Sequence, residues 1–155
     1  MKNIQTDITN KQNTLEIHDK IIQHTVAHVL NAESVNHANV SIVVVDDNLM
    51  AELNQRFHQA NGTTDVLSFD LADSDTQDDN DALDCEIIIN ADRAKQVAND
   101  ANGQPLAELH LYLVHGLLHQ LGYDDQHEND AQRMHLREDQ LLNQLGFGDV
   151  FTKHQ

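Results

Sequence analysis

An α+β fold, a small mixed β-sheet packed with about five helices, is the architecture this sequence predicts. Three observations lead there. Short β-branched runs at residues 40–45, 66–69 and 85–89 read as strands. Longer stretches with apolar residues three and four apart separate and follow them, and read as helices. The chain has 155 residues, with no internal repeat and no Pro- or Gly-rich linker, so a single domain over residues 1–155 is expected.

Residues 15–32 place Ile17, Ile21, Ile22, Val26, Val29 and Leu30 on one helical face. The strand 40–45 ends at Asp46-Asp47, and a helix over 48–58 follows with Leu49, Leu53 and Phe57 four apart. Asn61-Gly62 marks a turn before the strand 66–69. Residues 70–84 carry Asp70, Asp73, Asp75, Asp78, Asp79, Asp81 and Asp84. They lack the central Gly and terminal Glu of a calcium loop, so a solvated loop is expected. The strand 85–89 leads into a helix over 91–99. Pro105 suits the first turn of the next helix, which runs to Leu121 and stops at Gly122. A last helix spans 128–145 and ends at Gly146.

The formal charge is -17, from 26 acidic and 9 basic residues. Taken alone it argues against a nucleic-acid partner, because phosphate binding relies on Lys and Arg to release counterions. The plain reading is a strongly solvated surface. Cys85 is the single cysteine, so it has no internal partner and fits a reducing compartment. Beside Ile87-Ile88-Ile89 it reads as a buried, inert thiol rather than a nucleophile. Residues 1–12 carry no apolar stretch of signal-peptide length, and the longest apolar runs are too short to span a bilayer. A cytoplasmic location with no membrane contact is therefore expected.

The segment that carries chemistry is 115–125, which reads HGLLHQLGYDD. The helix before it is apolar on nearly every side, hence buried. His115 and His119 lie four apart, which puts their rings about 40° apart around the axis and about 6 Å apart along it. Two imidazoles so placed can converge on one metal ion. Gly122 permits a positive-φ turn, and the turn can bring Asp125 beneath the two rings as third ligand. Three protein ligands leave a position for water, as in a catalytic rather than a structural site. His127 is the alternative third ligand. Gly116 is costly inside a helix, by about 1 kcal/mol relative to Ala, so close approach by a backbone or a substrate is expected there. It also stands where the H-E-x-x-H metalloprotease motif carries its general base. The competing interpretation of both histidines is that they are satisfied core residues. The buried helix, the Gly stop and the spaced acid together favour a metal site.

Residues 115–125 resemble the hallmark H-G-x-L-H-x-x-G-Y-D-H of the YbeY family, the bacterial rRNA-maturation endoribonucleases, at every fixed position but the last. Leu53-Asn54 through Thr64-Asp65-Val66-Leu67-Ser68-Phe69 is similar to the family's L-N-x-x-(Y/F)-R…P-T-(D/N)-V-L-S-F segment. The resemblance covers roughly residues 38–148. It implies a compact fold with a single zinc ion, no organic cofactor, and hydrolysis of single-stranded RNA. It further implies small ribosomal subunit rRNA as partner, through 3′ maturation and ribosome quality control. The chain departs from the family at the third ligand, Asp125 in place of His. It departs again at His58 in place of Arg, and at Thr63 in place of Pro, a turn adjustment. A carboxylate ligand lowers the positive charge of the site. His58, the candidate catalytic residue for phosphate contact or proton donation, carries charge only part of the time near neutral pH.

Two other readings compete with a metal-dependent endoribonuclease. One is a metal-dependent peptidase, disfavoured by the missing Glu. The other is a ribosome-assembly factor whose metal only stabilises it. An RNA partner needs a local exception to the acidic surface, and Arg56, Arg93, Lys95, Arg133 and Arg137 are most of the available cations. They either cluster or serve as scattered partners for nearby acids. Glu108, seven residues before His115, is either a partner for a ligand histidine or, as its first-turn position favours, a solvated acid.

Overall fold

The computed structural model describes residues 2–72, 82–148 and 150. Most of the acidic stretch expected to form a solvated loop, residues 73–81, lies outside the described residues. The elements run β1 (Asn3–Lys11), α1 (Asp19–Ala32), β2 (His37–Val45), α2 (Asp47–His58), β3 (Val66–Asp70), β4 (Ala82–Asn90), α3 (Ala91–Asp100), α4 (Pro105–Gln120) and α5 (Glu128–Gln144). The sheet order is β1-β2-β4-β3. β1, β2 and β4 are parallel, and β3 joins antiparallel at the edge. The mixed α+β architecture expected from the sequence is thus present.

Strand alternation divides the core in two. Val40, Ile42 and Val44 with Cys85, Ile87 and Ile89 face the main core, shared with α1, α4 and α5. Val45, Leu67 and Ile88 face the other way, where Met50 of α2 covers them with Leu49 and Leu53 packed alongside. Cys85 is buried as expected, and burial, with the charges of Asp84 and Asp70, pushes its thiol up to about 12.

Two element readings need correction. β1 has no counterpart in the sequence reading: Ile4 and Ile8 alternate with polar residues too sparsely to stand out, and pairing to β2 in register Ile4↔Ala38 and Ile8↔Ile42 makes the strand. The first helix starts at Asp19, not residue 15; Leu15 and Ile17 pack on the core from the segment before it. The other boundaries shift by one to three residues.

Caps fix the ends near the site. Asp46 Oδ1 accepts from Leu49 N at 2.9 Å, capping α2. Asn90 Oδ1 caps α3 by accepting from Arg93 N at 3.2 Å. Asn90 Nδ2 donates to Asp47 Oδ1, Thr63 Oγ1 and the Thr64 carbonyl at 2.7, 2.8 and 3.0 Å. Thr63 is therefore more than a turn adjustment, because its hydroxyl takes part in the network that ties the 63–65 turn to the end of β4.

α4 is buried along most of its length. It lies against β3 and β4 at Gly116, where a Cβ would sit 2.9 Å from Ile87 Cγ2 and 3.3 Å from Val66 Cγ2. The close approach predicted for Gly116 is real, but sheet side chains make it, not a backbone or a substrate. Gly116→Val should therefore destabilise the metal-free protein by about 1–3 kcal/mol through overpacking. Urea unfolding of the two proteins measures this, and equal midpoints would show that the helix is free to move off the sheet.

Candidate metal centre

His115 and His119 project from successive turns of α4 and meet edge to face, with ring centroids 4.5 Å apart at 87°. Their Nε2 atoms converge on Asp125 Oδ2, at 3.7 and 3.5 Å respectively. Among the described residues these three are the group whose ligand atoms could hold a metal ion, all lying within 4.8 Å of one another. Gly122, at φ +100°, makes the turn that returns Asp125 to the helix, and Tyr123 N closes it on the Leu118 carbonyl at 3.0 Å.

The donor set fits a tetrahedral divalent ion. Bonds of about 2.0–2.1 Å imply donor–donor edges of about 3.3 Å, a few tenths shorter than the two separations from Asp125 Oδ2 to the imidazole Nε2 atoms. Each imidazole is also oriented for the task. His119 Nδ1 donates to the Tyr123 carbonyl at 3.2 Å, and His115 Nδ1 to Glu138 Oε1 at 3.1 Å. Both bonds leave the Nε2 lone pair facing Asp125. Tyr123 is itself held, its hydroxyl donating to Glu33 Oε1 at 3.0 Å, where Arg137 Nε also donates at 2.8 Å.

Glu138, 1 % exposed, is a site residue the sequence reading missed. Its Oε1 also receives His135 Nδ1 at 3.0 Å. Nothing local marks it out in the sequence, because it sits on α5 and meets His115 only through tertiary packing. Burial pulls the pKa of His115 down, but the hydrogen bond and charge of Glu138, with the charges of Asp65 and Asp125, more than offset this and leave it raised.

The centre opens on a cavity of about 440 Å³ lined by His115, Asp125, Asp65, Tyr112, His135 and Arg93 among others. Glu108 also lines it, yet it is only 2 % exposed and hydrogen-bonds Tyr112, so it is neither a solvated first-turn acid nor the partner of a ligand histidine. Burial, then the charge and hydrogen bond of Glu108, push the Tyr112 phenol upward. His110, on the same helix, is an ordinary core histidine: it bonds Thr25 Oγ1 at 2.9 Å, and burial lowers its pKa to about 4.

The other sequence candidates fall outside the cluster. His127 is the exposed N-cap residue of α5. His58 ends α2 with its ring stacked on Phe69, centroids 5.9 Å apart. The cations do not gather. Arg56 pairs with Glu52 at 3.5 Å, Arg137 with Glu33, and Arg133 lines a separate groove with Asp124 and Asp130. Of the five, Arg93 lines the metal cavity, and its guanidinium has no ion pair among the described residues.

Comparisons with known proteins converge. A profile described as "Endoribonuclease YbeY" matches residues 7–146. The Endoribonuclease YbeY of Carboxydothermus hydrogenoformans is 34 % identical over 144 residues, covering 91 % of this chain and 97 % of that one. That of Desulfitobacterium hafniense is 40 % identical over 123 residues, covering 76 % and 77 %. The solution structure of TM1509 from Thermotoga maritima shares the fold, with TM-score 0.62 at 21 % identity, over 92 % of this chain and 89 % of that chain.

Asp125→Ala should abolish stoichiometric zinc binding and His127→Ala should leave it intact; loss of metal from the His127 variant alone would reassign the third ligand. The pH response has two opposed parts. A raised His115 pKa stabilises the metal-free fold fully below about pH 6.5, and that stability is lost as pH rises through the folded-state value. Metal needs His115 neutral, so its binding strengthens over the same rise. The zinc-induced increase in Tm should therefore be larger at pH 8.5 than at pH 6, and Glu138→Gln should weaken zinc affinity about 10- to 100-fold. A zinc shift as large at pH 6 as at pH 8.5 would contradict this ligand set.

Proposed function

Because the chain belongs to the YbeY family of endoribonucleases, we propose that it is a zinc-dependent endoribonuclease acting on single-stranded RNA, with Arg93 and His58 contacting the substrate. The observation that carries the reading is the convergence of His115, His119 and Asp125 beside a cavity that His115 and Asp125 line, with both imidazoles fixed through their Nδ1 atoms. Three protein donors suit a catalytic zinc, whose chemistry there is Lewis-acid polarisation of a phosphoryl oxygen. The family resemblance extends the proposal to 3′ maturation of small-subunit rRNA, ribosome quality control and a cytoplasmic setting. Among the described residues no helix is long and apolar enough to cross a membrane.

The chain's own residues divide the work. Glu138 and the Tyr123 carbonyl hold the two ligand rings, which keeps both Nε2 atoms aimed at one point. Arg93 is the permanent cation of a cavity otherwise rich in carboxylates, and its planar guanidinium suits a phosphate. His58 contributes a second donor at the end of α2. Peptide hydrolysis by the H-E-x-x-H route has no place for its base, because the residue after His115 is Gly116, packed against Ile87.

Chelated protein should lose cleavage of single-stranded RNA and regain it with zinc, whereas an assembly factor with a purely structural metal would show none. Arg93→Ala should lower kcat/KM about 10- to 100-fold, the loss of one charge-assisted hydrogen bond. Arg93→Lys should recover part of it while zinc content stays unchanged. His58→Ala should lower kcat/KM on single-stranded RNA while zinc content stays unchanged. Wild-type kcat/KM in that variant would remove His58 from the phosphate contact.

A further inference from the structure

We propose that Phe57, buttressed by Phe69 and His58, is a stacking platform for a base of single-stranded RNA that crosses the free edge of β3 toward the metal centre; this rests on the RNA-hydrolase reading above. The chain has only four Phe and two Tyr, yet Phe57 is 53 % exposed. Packing does not require it there. The core contacts of α2 come from Met50, Leu49 and Leu53.

The geometry is that of a braced ring. Phe57 and Phe69 lie with centroids 5.1 Å apart at 58°, and His58 stacks on Phe69 at 15°. A ring held in this way loses little freedom when a base settles on it.

Position links the platform to the metal centre. Along β3, Val66 and Ser68 face α4: Val66 meets Gly116, and Ser68 Oγ accepts from Gln120 Nε2 at 3.1 Å. Gln120 directly follows His119. Leu67 and Phe69 point to the opposite face, toward α2. Among the described residues β3 pairs only with β4, so one sheet edge separates the platform from the metal centre.

Charge selects the occupant. At -17, with nearby Arg56 tied to Glu52, this surface offers phosphates little attraction. Base stacking is sequence-tolerant and does not depend on cations, so it can hold a polyanion where phosphate contacts cannot. An apolar peptide would need a broad apolar patch. The exposed large apolar side chains among the described residues are Ile21, Phe57, Leu71 and Leu136, and Phe57 is the one aromatic ring of the four.

The test is binding of labelled single-stranded oligoribonucleotides to the zinc-loaded protein, with an abasic nucleotide moved through each position. Phe57→Ala should weaken binding about 5- to 150-fold and raise KM with kcat and zinc content unchanged. Phe57→Tyr should retain affinity, and Ile21→Ala, which removes another exposed apolar side chain, should change nothing. One abasic position should weaken binding to wild type but not to Phe57→Ala. Wild-type affinity and KM in Phe57→Ala, or equal abasic sensitivity in both proteins, would overturn the platform while leaving the RNA-hydrolase reading standing. Failure of wild type itself to bind or cleave single-stranded RNA would overturn that reading, and the platform with it.

Discussion

The close seat of α4 on the sheet is the constraint on which the metal centre depends. Gly116 removes its own side chain at the contact, and Ile87 and Val66 fill the space. With the helix fixed there, His115 and His119 cannot slide relative to β3, and the Gly122 turn starts from a defined point. The helix-propensity cost of Gly116 is thus offset by positional accuracy at its two histidine neighbours.

The acidic composition and the proposed RNA substrate conflict only when charge is averaged over the surface. Arg56 and Arg137 are held by carboxylates. Arg93 lines the metal cavity, so a phosphate would meet permanent positive charge there together with that of a bound divalent ion. Elsewhere the negative surface repels the RNA backbone, and binding away from the centre has to use the bases. Phe57, the one exposed aromatic ring among the described residues, then acquires a weight it would lack on a basic protein.

Local pattern made most of this legible in the sequence. The strands at β2 and β4 follow from β-branched runs, and α4 from its apolar stretch between Pro105 and Gly122. The two candidate histidines follow from helical spacing, whereas the choice of Asp125 over His127 as third candidate rests on the offset of the family's motif. What stayed hidden depends on partners far along the chain. Glu138 is 23 residues from His115 and shows no local sign of its role. Glu108 looks like a first-turn acid until its burial beside Tyr112 is seen. β1 is too polar to declare itself without β2 beside it, and the helical spacing that put Phe57 with Leu49 and Leu53 says nothing of which ring the fold leaves in solvent.

With Asp125 in place of the family's histidine, a metal held here would meet one more negative charge, and the surroundings bear on whether that is tolerated. Glu138 is already a buried carboxylate against His115, and a second carboxylate in the ligand set adds repulsion within a low-dielectric site. His135 is bonded to the same Glu138 Oε1 that holds His115, with its ring parallel to that of His115 at 6.4 Å, and lines the same cavity. A donor there withdraws electron density from Glu138 and eases the crowding of negative charge behind the ligands. Asp125 itself is exposed, so water screens its charge on the outer side. A carboxylate ligand would therefore be accommodated by solvent around Asp125 and by the hydrogen bond shared at Glu138. The permanent charge of Arg93, standing in the same cavity, is left available to an anionic substrate.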